Sequence, residues 1–156
     1  MKAIPWIIAA LGLAFVLPAP ASAGVNDPEV IIYRFPGVRD DGGATNVGVA
    51  TVFHCTNFSG VIENIRFVTR NNTGALLANG VAGIAHLATI TASTHINAAY
   101  AGSPLATGLV NSGTTAIAAT SINIICTAMT IDAANPKPDG VALRGIRFSP
   151  VPGSQE

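Results

Sequence analysis

The chain has 156 residues and a mass of 15.8 kDa, room for one domain and too little for a large multidomain enzyme. Eight basic and eight acidic side chains give a formal net charge of zero, which leaves no electrostatic case for nucleic acid or an anionic membrane as partner. Charged residues make up 10% of the sequence, against about 25% in ordinary soluble domains, and 49% are hydrophobic, so disorder driven by charge and low hydrophobicity is excluded.

Lys2, an apolar run over 4–17 broken only by Pro5, then Pro18, Pro20 and Ala21-Ser22-Ala23 follow the order of a secretory signal peptide. The run falls short of the roughly 20 residues that span a bilayer, so no stable membrane anchor is expected. A cut after Ala23 leaves 24–156 as the mature domain, directed to the periplasm or the exterior. Its seven basic and eight acidic groups are spread over 133 residues. Much of the surface must then be Ala, Gly, Thr, Asn and Ser, which offers little electrostatic resistance to association.

From there the chain reads as an all-β domain, because short Val, Ile, Phe and Thr runs alternate with Gly, Pro, Asn and Asp and no helical period is sustained. A first strand is predicted at 29–35, ended by Pro36-Gly37 and the cluster Asp40-Asp41-Gly42-Gly43. In the second, 47–55, Val47, Val49, Phe53 and Cys55 share the core face and His54 points away. The third, 61–70, puts Ile65 and Phe67 inward and Asn64, Arg66 and Arg70 outward. Asn71-Asn72-Thr73-Gly74 predicts a tight turn into a strand at 75–78, and a fifth strand is expected at 85–92. The stretch 95–109, with Gly102, Pro104 and Gly108, predicts only a short strand or a helical turn. Ser121 opens a strand to Ile131 in which Ile122, Ile124, Cys126 and Ala128 share a face. After the turn signal at 135–140 the last strand, 141–148, changes apolar parity at Gly145, which predicts a bulge or bend.

Cys55 and Cys126 are the only cysteines, and in an exported protein they are expected to be disulfide-bonded. Closing that 72-residue loop is worth about 4.4 kcal/mol in the chain-entropy treatment. Seven or eight strands, with Cys on the second and the penultimate, fit a two-sheet antiparallel sandwich bridged across its core. Over 29–148 the pattern resembles the immunoglobulin-like fold. Phe67 stands where a true immunoglobulin domain carries its core Trp, and Ile124 where it carries its corner Tyr. The resemblance therefore implies immunoglobulin-like architecture and not antibody-family membership. The strings Phe53-His54-Cys55-Thr56-Asn57-Phe58-Ser59, Cys126-Thr127-Ala128-Met129 and Gly145-Ile146-Arg147-Phe148 are similar to those of uncharacterised secreted bacterial proteins, a likeness that implies no activity.

Constellations that carry chemistry are few. Blue-copper ligation needs two His, a Cys and a weak axial ligand, but His54, His86 and His95 all precede Cys126, and a bridged Cys binds no copper. No Gly-x-Ser-x-Gly elbow, EF-hand spacing or phosphate-binding Gly loop is present, and no cofactor is expected. Asp40 and Asp41 read best as turn residues. Tyr100 and His95, in the irregular stretch, are the candidates for contact with a ligand. The expectation is a non-catalytic exported module that binds another protein or itself. The alternatives are a small extracellular enzyme with a loop site built on His95, Asp40 and Asp41, and a metal-binding periplasmic protein.

Overall fold

The computed structural model describes residues 24–148; the expected signal peptide, and the C-terminal residues from 149 on, expected to fray, lie outside them. The described chain is all-β. Its strands are β1 (Val30–Asp40), β2 (Val49–Asn57), β3 (Glu63–Arg70), β4 (Leu76–Ile84), β5 (Thr89–Ser93), β6 (Ser103–Pro104), β7 (Val110–Ala119), β8 (Ile124–Asp132), β9 (Val141–Leu143) and β10 (Ile146–Arg147). They form two five-stranded sheets, in the orders β10-β1-β7-β3-β4 and β6-β5-β2-β8-β9. Every pairing is antiparallel except β5 with β6. No helix among the described residues is long and apolar enough to cross a membrane.

The core lies between the sheets and follows the period-two alternation of the sequence. Phe35 from β1, Ile65 and Phe67 from β3 and Ile117 from β7 meet Phe53 from β2 and Ile124 from β8, all of them buried. Phe53 is edge-on to Phe35 at 5.8 Å and tilted against Phe67 at 5.9 Å, so aromatic contacts link the two sheets. Ala50, Val52, Ile131 and Ala133 form a second apolar cluster with Ala99, Tyr100 and Met129. The segment that supplies Ala99 and Tyr100 is held by Thr94 N–H to the Thr51 carbonyl and Ala98 N–H to the Ala133 carbonyl.

The expected bridge exists, but it does not cross the core. Cys55 and Cys126 are direct partners on the neighbouring strands β2 and β8 of one sheet, with Cα atoms 4.1 Å apart, near the closer of the two spacings of an antiparallel ladder. The two-sheet expectation holds; the bridge lies within a sheet and not between sheets, the described strands number ten and not seven or eight, and Cys126 stands on β8, third from last, because β9 and β10 follow it as separate short strands.

Four further differences have local causes. Pro36-Gly37 does not end β1: the strand runs on to Asp40 through register shifts on either side of Val38, with Gly37 at φ 81°, a bulged strand that Pro and Gly accommodate. Val47 is exposed and precedes β2, because β2 starts at Val49; Ile122 is likewise exposed ahead of β8. The fourth strand runs on to Ile84, so 85–88 is a turn and β5 begins at Thr89. The most consequential difference is β7, a stretch without a predicted strand that pairs with both β1 and β3 inside its sheet.

The parity change at Gly145 marks a passage between sheets. β9 pairs with β8 in one sheet and β10 with β1 in the other, and Gly145 lies against Phe35, where a Cβ would sit 2.3 Å from the ring. Phe35 is locked between Tyr33 and Phe53 and has no room to yield. Gly145→Ala is expected to lower stability by about 1–3 kcal/mol, read from a denaturant midpoint; an unchanged midpoint would show that the crossing can move off Phe35.

Candidate functional site

The structure brings two of the three predicted loop residues together. His95 Nδ1 lies 2.8 Å from Asp40 Oδ2, and Asp40 is only 2% exposed at the end of β1. The same Oδ2 accepts the Thr107 hydroxyl at 3.3 Å, and Oδ1 accepts the Gly42 N–H at 2.7 Å. His95 Nε2 faces the Val47 carbonyl at 3.1 Å. Asp40 and His95 also line a cavity of about 310 Å³ with Gly43, Thr45 and Ala106. Both His95 ring nitrogens and both Asp40 oxygens have partners within the fold. What the geometry does is tie the loops around 41–48 and 94–108 to the end of β1.

Asp41 has a different task. Its Oδ2 accepts the Val49 N–H at 2.9 Å and Oδ1 the Gly43 N–H at 3.1 Å, which folds 41–49 back on itself. Those bonds, the Val49 one foremost, hold its carboxyl below the usual carboxylate value. Among the described residues no three His, Cys, Asp or Glu side chains gather where they could hold a metal ion.

Tyr100 is half-buried. Its ring lies 4.8 Å from that of His54, edge to face, and its hydroxyl reaches the Met129 sulfur at 3.8 Å. His54, which alternation points away from the core, is held by Nδ1 against the Thr91 hydroxyl at 3.0 Å. Burial lowers its pKa from the ordinary 6.5, because the charged imidazolium loses water there. The unfolded chain then takes up the proton first as pH falls. The contribution of neutral His54 is complete above about pH 6.5 and is lost as pH falls through that value toward the lower folded one. His54→Gln is expected to flatten the fall in melting temperature between neutral and mildly acidic pH. Parallel curves for the two proteins would contradict the assignment.

A second surface was not among the predicted site residues. The turns 58–62, 85–88 and 120–123 lie at one end of the sandwich and bond to each other: Phe58 N–H to the Asn123 carbonyl at 2.8 Å, Leu87 N–H to the Asn57 carbonyl at 2.7 Å, and Gly60 N–H to His86 Nδ1 at 3.0 Å. They carry Phe58, Ile62, Leu87 and Ile122 into solvent, with Ile62 54% and Leu87 65% exposed. Leu87 has φ 61°, a left-handed conformation that costs an L-residue with a Cβ about 1–2 kcal/mol and that Gly adopts freely. Beneath the same turns Glu63 is fully buried; the Thr120 hydroxyl donates to its Oε2 and its Oε1 has no partner among the described residues, so its burial opposes folding. The clue in the sequence was an apolar residue in each turn, where turn chemistry favours polar ones.

The fold and these surfaces define a disulfide-bonded two-sheet β-sandwich with an apolar loop end. The chain matches no protein-family model, no curated protein and no solved structure.

Proposed function

We propose that this protein is an exported, non-catalytic β-sandwich, secreted or periplasmic, that works by protein–protein contact, and that its apolar loop end is the contact surface. The observation that carries the reading is Leu87, a large side chain two-thirds exposed on a backbone conformation that disfavours it. Strained positions and exposed apolar patches concentrate where a protein engages something else. The low charge of the mature chain supports the same reading, as does the use of Asp40 and His95 to tie loops to the end of β1. An immunoglobulin-like architecture belongs to this proposal: the sandwich form supports it, while ten strands and the bridge within one sheet argue against a close relation to true immunoglobulin domains.

Photocrosslinking tests it. A photoreactive residue at position 62 or 87 in the exporting cell is expected to give protein adducts that the same residue at Asn135, in a turn after β8, does not. Equal yields at all three positions would sink the reading. Leu87→Gly separates contact from folding. It is expected to raise stability by up to about 1 kcal/mol through relief of the left-handed strain, while reducing the contact. A loss of stability would show that Leu87 is held for the fold.

The cavity beside Asp40 and His95 is the observation that favours the second reading, a small extracellular enzyme. Turnover by a protein whose Asp40→Asn variant folds normally but is inactive would establish it in place of the first.

A further inference from the structure

Among the described residues the two sheets have four edge strands, and three of them are blunted. β10 has two residues, β9 has three, and β6 has two, one of them Pro104, all ways in which β-proteins keep edges from pairing with other chains. The fourth edge, β4, is nine residues long, Leu-Leu-Ala-Asn-Gly-Val-Ala-Gly-Ile, without a charge or a proline. Among the described residues it pairs with β3 alone and its other side has no partner, and Leu76 and Val81 are 52% and 51% exposed. Beside it a cavity of about 210 Å³ opens between the sheets, lined by Gly80, Ala82, Ile90 and Leu105.

We propose that β4 is a homotypic docking edge, on which a second copy of this chain pairs its own β4 antiparallel about a twofold axis near Gly80. The inference rests on the contact-making reading above and gives it a second surface and a partner.

Two features point to a second copy. A twofold axis at Gly80 brings Asn79, Gly80 and Val81 close to their own counterparts, so a charge there would meet itself; β4 has none. Arg66, whose Nη1 donates to Asn79 Oδ1 at 3.0 Å, is already paired with Glu29, so it brings no unpaired charge to the edge. The sequence also fits itself in that register. Leu77 falls opposite Gly83, Ala78 opposite Ala82 and Asn79 opposite Val81, with Leu76 opposite Ile84 at the ends, so no pair sets a charge against an apolar side chain and only the end pair joins two large apolar ones.

Light scattering after size exclusion, on the disulfide-bonded mature protein across micromolar concentrations, tests the proposal. Expected is a dimer that Val81→Lys weakens by about tenfold or more through like-charge contact near the axis, and that Val81→Thr preserves. Amide exchange needs no variant: β4 amides should become protected as concentration rises. A dimer untouched by Val81→Lys, with β4 exchange independent of concentration, overturns the β4 edge and leaves the contact reading intact. A wild type that is monomeric throughout, or that forms open-ended polymers, also overturns it. The crosslinking test of the loop end then decides the contact reading separately.

Discussion

Replacing Cys55 and Cys126 together with alanine is expected to lower the unfolding free energy by about 2–4 kcal/mol while the folded chain keeps its β2–β8 pairing. The two effects separate because of where the bridge sits. The β2–β8 ladder already sets Cys55 opposite Cys126, with partners in register from Val49↔Asp132 to Asn57↔Ile124, so the native state does not need the bond to bring the strands together. The unfolded chain does lose freedom to it, since the bond closes a loop between residues 71 apart in sequence. Both side chains are also buried in the main core, so their removal leaves space that adds to the loss. Denaturant unfolding of wild type and double variant measures the difference. Amide exchange in β2 and β8 of the folded variant checks the ladder. A loss below about 0.5 kcal/mol would mean that the unfolded chain is already compact around these strands. Mass spectrometry of the protein isolated from its producing cells should show two hydrogens gained on reduction; free thiols there would refute the bond in the cell.

The strands that could be read from sequence are those whose residues alternate against a polar face. In β3, Ile65 and Phe67 go inward while Asn64, Arg66 and Arg70 go outward, and the burial follows. β7 could not be read this way. Its sequence, Val-Asn-Ser-Gly-Thr-Thr-Ala-Ile-Ala-Ala, has one large apolar residue beyond its first position, and Ala116 to Ala119 are buried without a break. A strand flanked by two partners and buried on both faces loses its alternation, and small residues carry no strong strand signal. β1 was cut short for a related reason: Pro36-Gly37 signals a turn locally, and only pairing with β7 shows that the strand absorbs it as a bulge. The bridge was legible as a pair and not in its placement, because cysteine spacing does not say which strands are neighbours. Of the candidate site, the Asp40–His95 meeting depends on a separation of 55 residues that no local pattern encodes. The loop end could have been noticed as apolar residues in turns, but their joining at one end of the sandwich follows from topology alone.

Asp40→Ala is expected to cost about 3 kcal/mol, more than the usual effect of removing a loop side chain, and the loss should be shared with His95. The carboxylate is buried and serves three groups: the Gly42 amide, the Thr107 hydroxyl and the His95 ring. Removing it takes the acceptor from the Gly42 amide and from His95 Nδ1, while the Thr107 hydroxyl keeps the Gly108 carbonyl at 3.1 Å and His95 keeps the Val47 carbonyl. Because His95 also reaches the Val47 carbonyl, one side chain joins the end of β1, the 41–48 loop and the 94–108 stretch. The loss should therefore appear first as local opening of those loops, seen in amide exchange around Val47 and Thr107, before global unfolding. A double-mutant cycle gives the sharper result. If the pair acts as a clamp, Asp40→Ala and His95→Ala together should cost clearly less than the sum of the two, with a coupling above about 1 kcal/mol. Additive losses would mean that the two side chains stabilise different things. An Asp40→Ala protein that unfolds at the wild-type midpoint would mean that the pair is not part of the scaffold, and the cavity beside it would then be the place to look for chemistry.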